Sequence, residues 1–333
     1  MLTADPKKAS ISSTWKYTSP LISCAFDPKN RYLFSSAEDY SLQRWEIATG
    51  KHITWQAHES WVNDIAVHPS GDFFVSAGCD DTIIFWNTLQ EKQVPLKAIK
   101  AHTGWVRAVS FSSDGKYLVS TGNDGLVKLW NVSDYKLIQT FSGHQSDVYS
   151  AIFHPDGKWL LSGDLVGNIH QWEITTGKLV RSFDAKELMT DKSQGVRYGG
   201  VRSLAISPDR KHIACSGLHK ATNPLGAVNE PVVLQFNWES GKKVKTHTDA
   251  TVKGIGWNVF YLPDGSLVCA TGGSGGGFLV FWKAEDEKVF HRLKLPNTSR
   301  DMDLHPESLQ VVTAHHDRQI RVTCLYEKPA GKK

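Results

Sequence analysis

Several stretches of the chain carry residue types that could do chemistry. Residues 272–277 read GGSGGG, a run that could cradle phosphate. Its Gly272–Ser274–Gly276 spacing also imitates the elbow that presents a nucleophilic serine. Both chemistries need a helix after the glycines, whose first turn offers unpaired amides. Here the run is followed by FLVFW, a strand pattern, so a loose turn is expected instead. Residues 314–318 read AHHDR. Adjacent side chains of an extended chain point to opposite faces, so His315 and His316 are not expected to share a metal ion. No H-x-x-x-H or paired-cysteine spacing stands elsewhere. The remaining candidates are arginines and aromatics, and they form a set only once the chain is measured for repeats.

The measure is the pair of segments 57–87 and 101–131. The second reads AHTGWVRAVSFSSDGKYLVSTGNDGLVKLWN. It places His102, Ser120, Asp124 and Trp130 at intervals that the first keeps with His58, Ser76, Asp80 and Trp86. A third copy has His144, Ser162 and Trp172, with Val166 where the aspartate should stand. A fourth has Ser35, Asp39 and Trp45, with Tyr17 in the histidine slot. Three weaker units turn at SPDR, LPDG and HPES. The seven turn positions are Lys29, Ser70, Asp114, Asp156, Asp209, Asp264 and Glu307, at steps of 41, 44, 42, 53, 55 and 43 residues. Each unit alternates apolar and polar residues over short runs bounded by Gly, Asp, Pro and Ser, which predicts strands. No long 3.6-residue apolar period appears, so helix should be nearly absent.

These motifs resemble the WD-repeat family of β-propellers, over about residues 13 to 327. The resemblance implies an all-β fold: seven blades of four antiparallel strands, closed by the N-terminal strand pairing into the last blade. Residues 11–327 would form this single propeller, with flexible tails at 1–10 and 328–333. It also implies that His, Ser, Asp and Trp form a hydrogen-bonded network inside each blade. The named histidines and aspartates are then structural, not catalytic, and Asp317 would be the network aspartate of the last blade. Departures are visible. Cys215 takes a serine slot, Phe236 and Thr323 take tryptophan slots, and the sixth unit has no network. Such blades should be the softer ones.

In this family the innermost strands begin at the mouth of an axial channel. Seven residues before each turn position stand Ile22, Asn63, Arg107, Tyr149, Arg202, Trp257 and Arg300. Trp61 and Trp105 precede two of them by two residues. Arginine offers a planar fork for carboxylate or phosphate, and Trp, Tyr and Arg are enriched in binding hot spots. A ligand-binding surface is therefore expected from Trp61, Asn63, Trp105, Arg107, Tyr149, Arg202, Trp257 and Arg300. The competing expectation is that the arginines only plug the channel, paired with Glu38, Asp147 or Asp301. The long steps come from insertions at 184–200 and 217–231, which should emerge on the same face.

The bulk numbers agree with a globular binding protein. The chain has 333 residues, 40% apolar, with a net charge of +4, too mild for wholesale binding to nucleic acid or a membrane. Five cysteines without close pairs read as reduced thiols of a cytoplasmic protein. No secretory signal and no run of eighteen apolar residues is seen. The expected function is a non-catalytic, monomeric scaffold with no cofactor and no metal. It would bind a partner protein, or an acidic or phosphate-bearing peptide. The alternatives are a propeller enzyme acting at the channel mouth, and nucleic-acid or phosphate-ligand binding through the arginines. A bacterial type of WD-repeat protein is the expected relative.

Overall fold

The computed structural model describes residues 3–56, 58–92, 94–191, 197–220, 229–305 and 307–327. Each alternating run forms a strand, and four consecutive strands form an antiparallel blade. Blade 1 holds Leu21–Phe26, Tyr32–Ala37, Ser41–Glu46 and His52–Gln56. Blade 3 holds Val106–Phe111, Tyr117–Gly122, Leu126–Asn131 and Leu137–Ser142. Blades 2 and 4 to 6 repeat this plan. Among the described residues blade 7 supplies three strands of its own, Ser299–His305, Gln310–His315 and Gln319–Cys324. Its fourth is the N-terminal strand Ser10–Lys16, antiparallel to Gln319–Cys324. The ring is thus closed by joining the first strand to the last blade, which covers an edge that would otherwise be open. Helix is limited to two 3-10 turns among the described residues, Pro6–Lys8 and Lys186–Leu188.

The even spacing of the first turns has a backbone cause. Asn30, Gly71, Gly115, Gly157, Arg210 and Gly265, each just after its turn position, have positive φ, and so does Leu309 in the last blade. One left-handed residue reverses each innermost strand, and glycine takes that conformation without strain in four of them.

The core lies between blades rather than within them. Phe34, Trp55, Phe74 and Trp86 pack across the seam of blades 1 and 2, with Phe34 and Phe74 centroids 4.3 Å apart. The large tryptophan count serves this packing, since Trp45, Trp55, Trp86, Trp172 and Trp282 are fully buried. All five cysteines are buried and free.

The N-terminal segment, expected to be a flexible tail, packs onto the last blade from Ala4. The Asp5 amide donates to the Leu325 carbonyl at 2.7 Å, and Ala4 and Ala9 pack against the blade 6–7 core. The C-terminal tail 328–333 lies outside the described residues.

Candidate functional site

The mouth of the channel is shaped by a repeated irregularity of the innermost strands. In blade 2, Val62 pairs with Gly78 and Asp64 with Ala77, so Asn63 is an extra residue without a partner. The same β-bulge leaves out Arg107 in blade 3, Tyr149 in blade 4, Trp257 in blade 6 and Arg300 in blade 7. In blade 1 the omitted pair is Ile22 and Ser23. In blade 5 the inner strand starts at Ser203, one residue past Arg202. A bulge re-aims its extra side chain and often stands beside a functional site. Here it turns one side chain per blade toward the axis. All eight residues expected at the mouth line one cavity of about 800 Å³, together with Ile22.

The residue after the bulge has a second task. Asp64 accepts from the Val109 amide of the next blade at 2.8 Å, Asn258 from Met302 at 3.1 Å, and Asp301 from Cys24 at 2.8 Å. Asp303 accepts from the Phe26 amide at 2.8 Å. These side chains tie neighbouring inner strands together, two of them across the closure between blades 7 and 1. Burial pushes Asp64 up to about 7, with the charges of Asp301 and Asp303 adding to it. Burial likewise raises Asp301 and Asp303 to about 6. Sequence reading passed over Asp64 and Asp303 and placed Asp301 beside an arginine. It bonds the Ser23 hydroxyl and the Cys24 amide instead.

At the mouth itself, cations and rings alternate. The Arg107 guanidinium lies 4.7 Å from the Trp105 ring and 4.6 Å from Tyr149. Arg202 lies 4.4 Å from the same Tyr149 ring and 5.5 Å from Trp257. The buried Trp257 indole N–H has no acceptor among the described residues. Across the mouth, Arg300 donates to Glu38 at 2.6 Å, and the Trp61 indole donates to the Glu38 carbonyl at 3.2 Å. Arg107 donates to Asn123 at 2.6 Å and stands 3.6 Å from Asp147. Asp147 and Glu38 therefore offset part of the arginine charge at the mouth. Trp61 and Trp105 keep 44% and 40% of their surface exposed, which is unusual for rings of this size.

The blade networks hold the loops that carry these two tryptophans. In blade 3, the Trp130 indole donates to Ser120 at 2.9 Å, Ser120 donates to His102 Nε2 at 2.8 Å, and His102 Nδ1 donates to Asp124 at 2.8 Å. Asp124 then accepts the Thr103 amide at 3.1 Å, two residues before Trp105. Blade 2 repeats this with His58, Ser76, Asp80 and Trp86, and Asp80 accepts the Glu59 amide at 2.9 Å, two residues before Trp61. Burial opposes the charge on Asp80, but hydrogen bonds from His58, Thr82 and Glu59 outweigh it and hold the carboxyl below its usual range.

Blade 4 corrects the expectation of a missing aspartate. His144 Nδ1 donates to Asp164 at 2.8 Å, two positions ahead of Val166, while Ser162 and Trp172 keep their places. The reason is steric. In blades 2 and 3 the equivalent position is glycine, because a Cβ on Gly78 would stand 2.3 Å from the Asp80 carboxylate and one on Gly122 2.7 Å from His102. Blade 4 mounts the carboxylate on that position itself, which frees the later slot for valine. Blade 1 lengthens the relay: Trp45 donates to Ser35, Ser35 to Gln43, and Gln43 to Ser41, which Tyr17 meets at 3.0 Å. Ser41 in turn donates to Asp39. In blade 7, Asp317 pairs with Arg321 rather than with a histidine, and the buried His315 bonds Thr313 at 2.7 Å.

Of the two insertions, residues 192–196 and 221–228 lie outside the described residues. The first is bounded by a ribbon of Met189–Asp191 and Arg197–Gly199. The base of the second is pinned by Glu230, which accepts from Lys220 at 3.1 Å and Lys253 at 2.9 Å.

Comparison with known proteins agrees with this geometry. The family described as "WD domain, G-beta repeat" matches residues 51–87, 93–131 and 135–173. The chain is 49% identical over 45 residues to a Lissencephaly-1 homolog of Caenorhabditis briggsae, covering 13% of this chain and 12% of the relative. It is 32% identical over 84 residues to a p21-activated protein kinase-interacting protein 1-like of Xenopus laevis, covering 24% and 22%. It is 30% identical over 83 residues to the nuclear distribution protein nudF 2 of Talaromyces marneffei, covering 25% and 17%. The matched stretch thus spans less than a quarter of each of these relatives. All three are eukaryotic, which gives no support to the expected bacterial type.

Proposed function

This chain carries WD repeats in a seven-bladed β-propeller, and we propose that it is a non-catalytic scaffold whose channel mouth grips a partner protein. The observation that carries the reading is the run Trp105–Arg107–Tyr149–Arg202–Trp257, in which two guanidiniums share one tyrosine ring. Rigid rings give contact area at low entropic cost, and the guanidiniums give forked donors between them. An acidic side chain or phosphate of the partner would accept forked hydrogen bonds from the two guanidiniums held at the Tyr149 ring. Exposed Trp61 and Trp105 would supply apolar anchors on the rim. The relative named as interacting with a p21-activated protein kinase supports the scaffolding class. The propeller would act as a monomer.

The test is affinity capture from the native cell with four baits. The wild type should retain a partner that Trp105→Ala and Arg202→Gln lose, each by roughly tenfold or more. Lys294→Glu, on an outer strand of blade 6, should retain it. Equal loss with Lys294→Glu would place binding elsewhere. Nucleic acid recovered in place of protein would favour the phosphate-binding alternative, and its binding would fall steeply with salt.

A further inference from the structure

A second cavity lies at the far end of the blades. It measures about 560 Å³ and sits in the seam of blades 4 and 5. Its walls come from the first turn of blade 5, from the turn after Glu230–Asn237, and from the start of the outer strand Leu179–Asp184 of blade 4. Inner strands begin at the mouth, so these turns belong to the opposite face. Trp159, Val180 and Trp238 give it apolar surface, and Arg181, Arg210 and Lys211 give it charge.

Two features mark it as a docking seam. The first is charge. Arg181 donates from Nε to Gln171 at 2.5 Å, from one terminal nitrogen to the Glu239 carbonyl at 2.7 Å and from the other to the Trp238 carbonyl. Its plane lies 5.2 Å from the Trp238 ring. Among the described residues no carboxylate pairs with Arg181, and the exposed Arg210 and Lys211 side chains have no ion-pair partner. Against these three cations the cavity has one acid, Glu239. Burial lowers the pKa of Arg181, as expected for a cation without a counter-ion.

The second feature is the apolar surface beside it. Leu137 and Ile138, Leu179 and Val180, and Val244 stand at the starts of the outer strands of blades 3, 4 and 5, each 43% to 48% exposed. Leu89, Val94 and Leu96 continue the series on blade 2. Eight of the eleven exposed large hydrophobics among the described residues therefore occupy one rim. Scattered exposed apolar residues need no cause, but a series repeated from blade to blade on one rim, with part of it lining a cationic groove, points to an interaction surface.

We propose that the seam is a second peptide-docking site, separate from the channel mouth. It takes a short acidic segment of a partner protein in which aliphatic or aromatic side chains alternate with carboxylates. The outer strand of blade 4 is a sheet edge, so an extended segment can add to it as a fifth strand. The added segment would run beside Val180 of blade 4 and meet Trp238, Arg210 and Lys211 of blade 5 across the seam.

The probes are two fluorescein-labelled peptides of ten residues, one alternating Glu and Leu, the other Lys and Leu. Each is titrated with the full chain by fluorescence anisotropy. The acidic peptide should bind at least about tenfold more tightly than the basic one. Lys211→Glu and Val180→Glu, both at exposed positions, should each weaken it by roughly tenfold, and Lys211→Gln by less. Arg202→Glu at the mouth should leave it unchanged. The proposal is overturned if the acidic peptide does not saturate, if both peptides bind alike, or if the two seam variants change nothing. Loss in Arg202→Glu alone would also overturn it, and would assign acidic recognition to the mouth. Melting curves of the exposed-site variants should overlay that of the wild type.

Discussion

Blade 3 and blade 5 share one strand plan and close their cores by different means. Blade 3 runs a relay from Trp130 through Ser120 and His102 to Asp124. Blade 5 puts Cys215 and Phe236 at the serine and tryptophan positions, both fully buried, and fills the rest with Leu188, Val201 and Leu234. The relay is therefore not needed to make four strands pair. What differs is the loop that enters the blade. In blade 3 that loop is short, and Asp124 holds it through the Thr103 amide. In blade 5 it is the long 184–200 insertion, and Leu188 anchors it by packing instead. The relay is a device for fixing short loops at the mouth, where Trp61 and Trp105 stand. A satisfied polar network specifies one arrangement, whereas apolar packing tolerates several.

The largest effect should come from the blade that imports a strand. Blade 7 has no Trp relay and depends on Ser10–Lys16 for its outer edge. Removing residues 1–16 should cost several kcal/mol, since a strand's burial and a protected edge are lost together. Calorimetry of the truncated chain checks this, and an unchanged melting temperature would contradict the closure. Hydrogen exchange should show blade 7 opening first, ahead of blades 2 to 4.

A smaller effect separates two positions of blade 4. Asp164→Ala leaves His144 and the Asn168 amide without their acceptor and should cost roughly 1–3 kcal/mol. Val166→Ala removes only a half-buried methyl pair and should cost less than about 1 kcal/mol. Chemical denaturation of the two variants gives the difference. Equal costs would mean that the relay contributes no more than packing does.

That pair also shows what could be read from sequence. Strand order, closure and the mouth residues were legible because turn-to-bulge spacing is fixed by local geometry, so Asn63, Arg107 and Arg300 fall at one distance from their turns. Asp164 was missed because the relay depends on where a carboxylate can reach, and Cβ crowding at Gly78 and Gly122 has no signature in spacing. Glu38 and Asp147, in loops of neighbouring blades, could be offered as partners of Arg300 and Arg107. Sequence could not choose between them and Asp301, because the choice is made by strand direction in space. Asp64 and Asp303 look like the polar half of an alternating strand. Only the ring makes that half face a channel.

The buried carboxylates give the finest contrast, because the two groups titrate in opposite senses. The relay aspartates Asp80, Asp124 and Asp164 are held below their usual range once hydrogen bonds outweigh burial. Their stabilisation is present above the carboxylate range and is lost as pH falls through it. Asp64, Asp301 and Asp303 are raised by burial to about 7, 6 and 6. The folded chain keeps their protons where the unfolded chain would release them. Their contribution is full below the ordinary carboxylate value and is lost as pH rises through about 6 to 7. Stability should therefore pass through a maximum in mildly acid solution rather than at neutrality. The channel side of these groups is partly open, so solvent screens them and the decline toward neutral pH should be shallower than the shifts alone would give. Asp64→Asn should lower stability overall, because its amide nitrogen would face either the Val109 or the Ile65 N–H. It should also flatten the decline, and that change of slope is the informative reading. Melting temperatures of both proteins from about pH 4 to pH 8 test it. Parallel curves would show that Asp64 titrates normally and that the channel carboxylates form no group of their own.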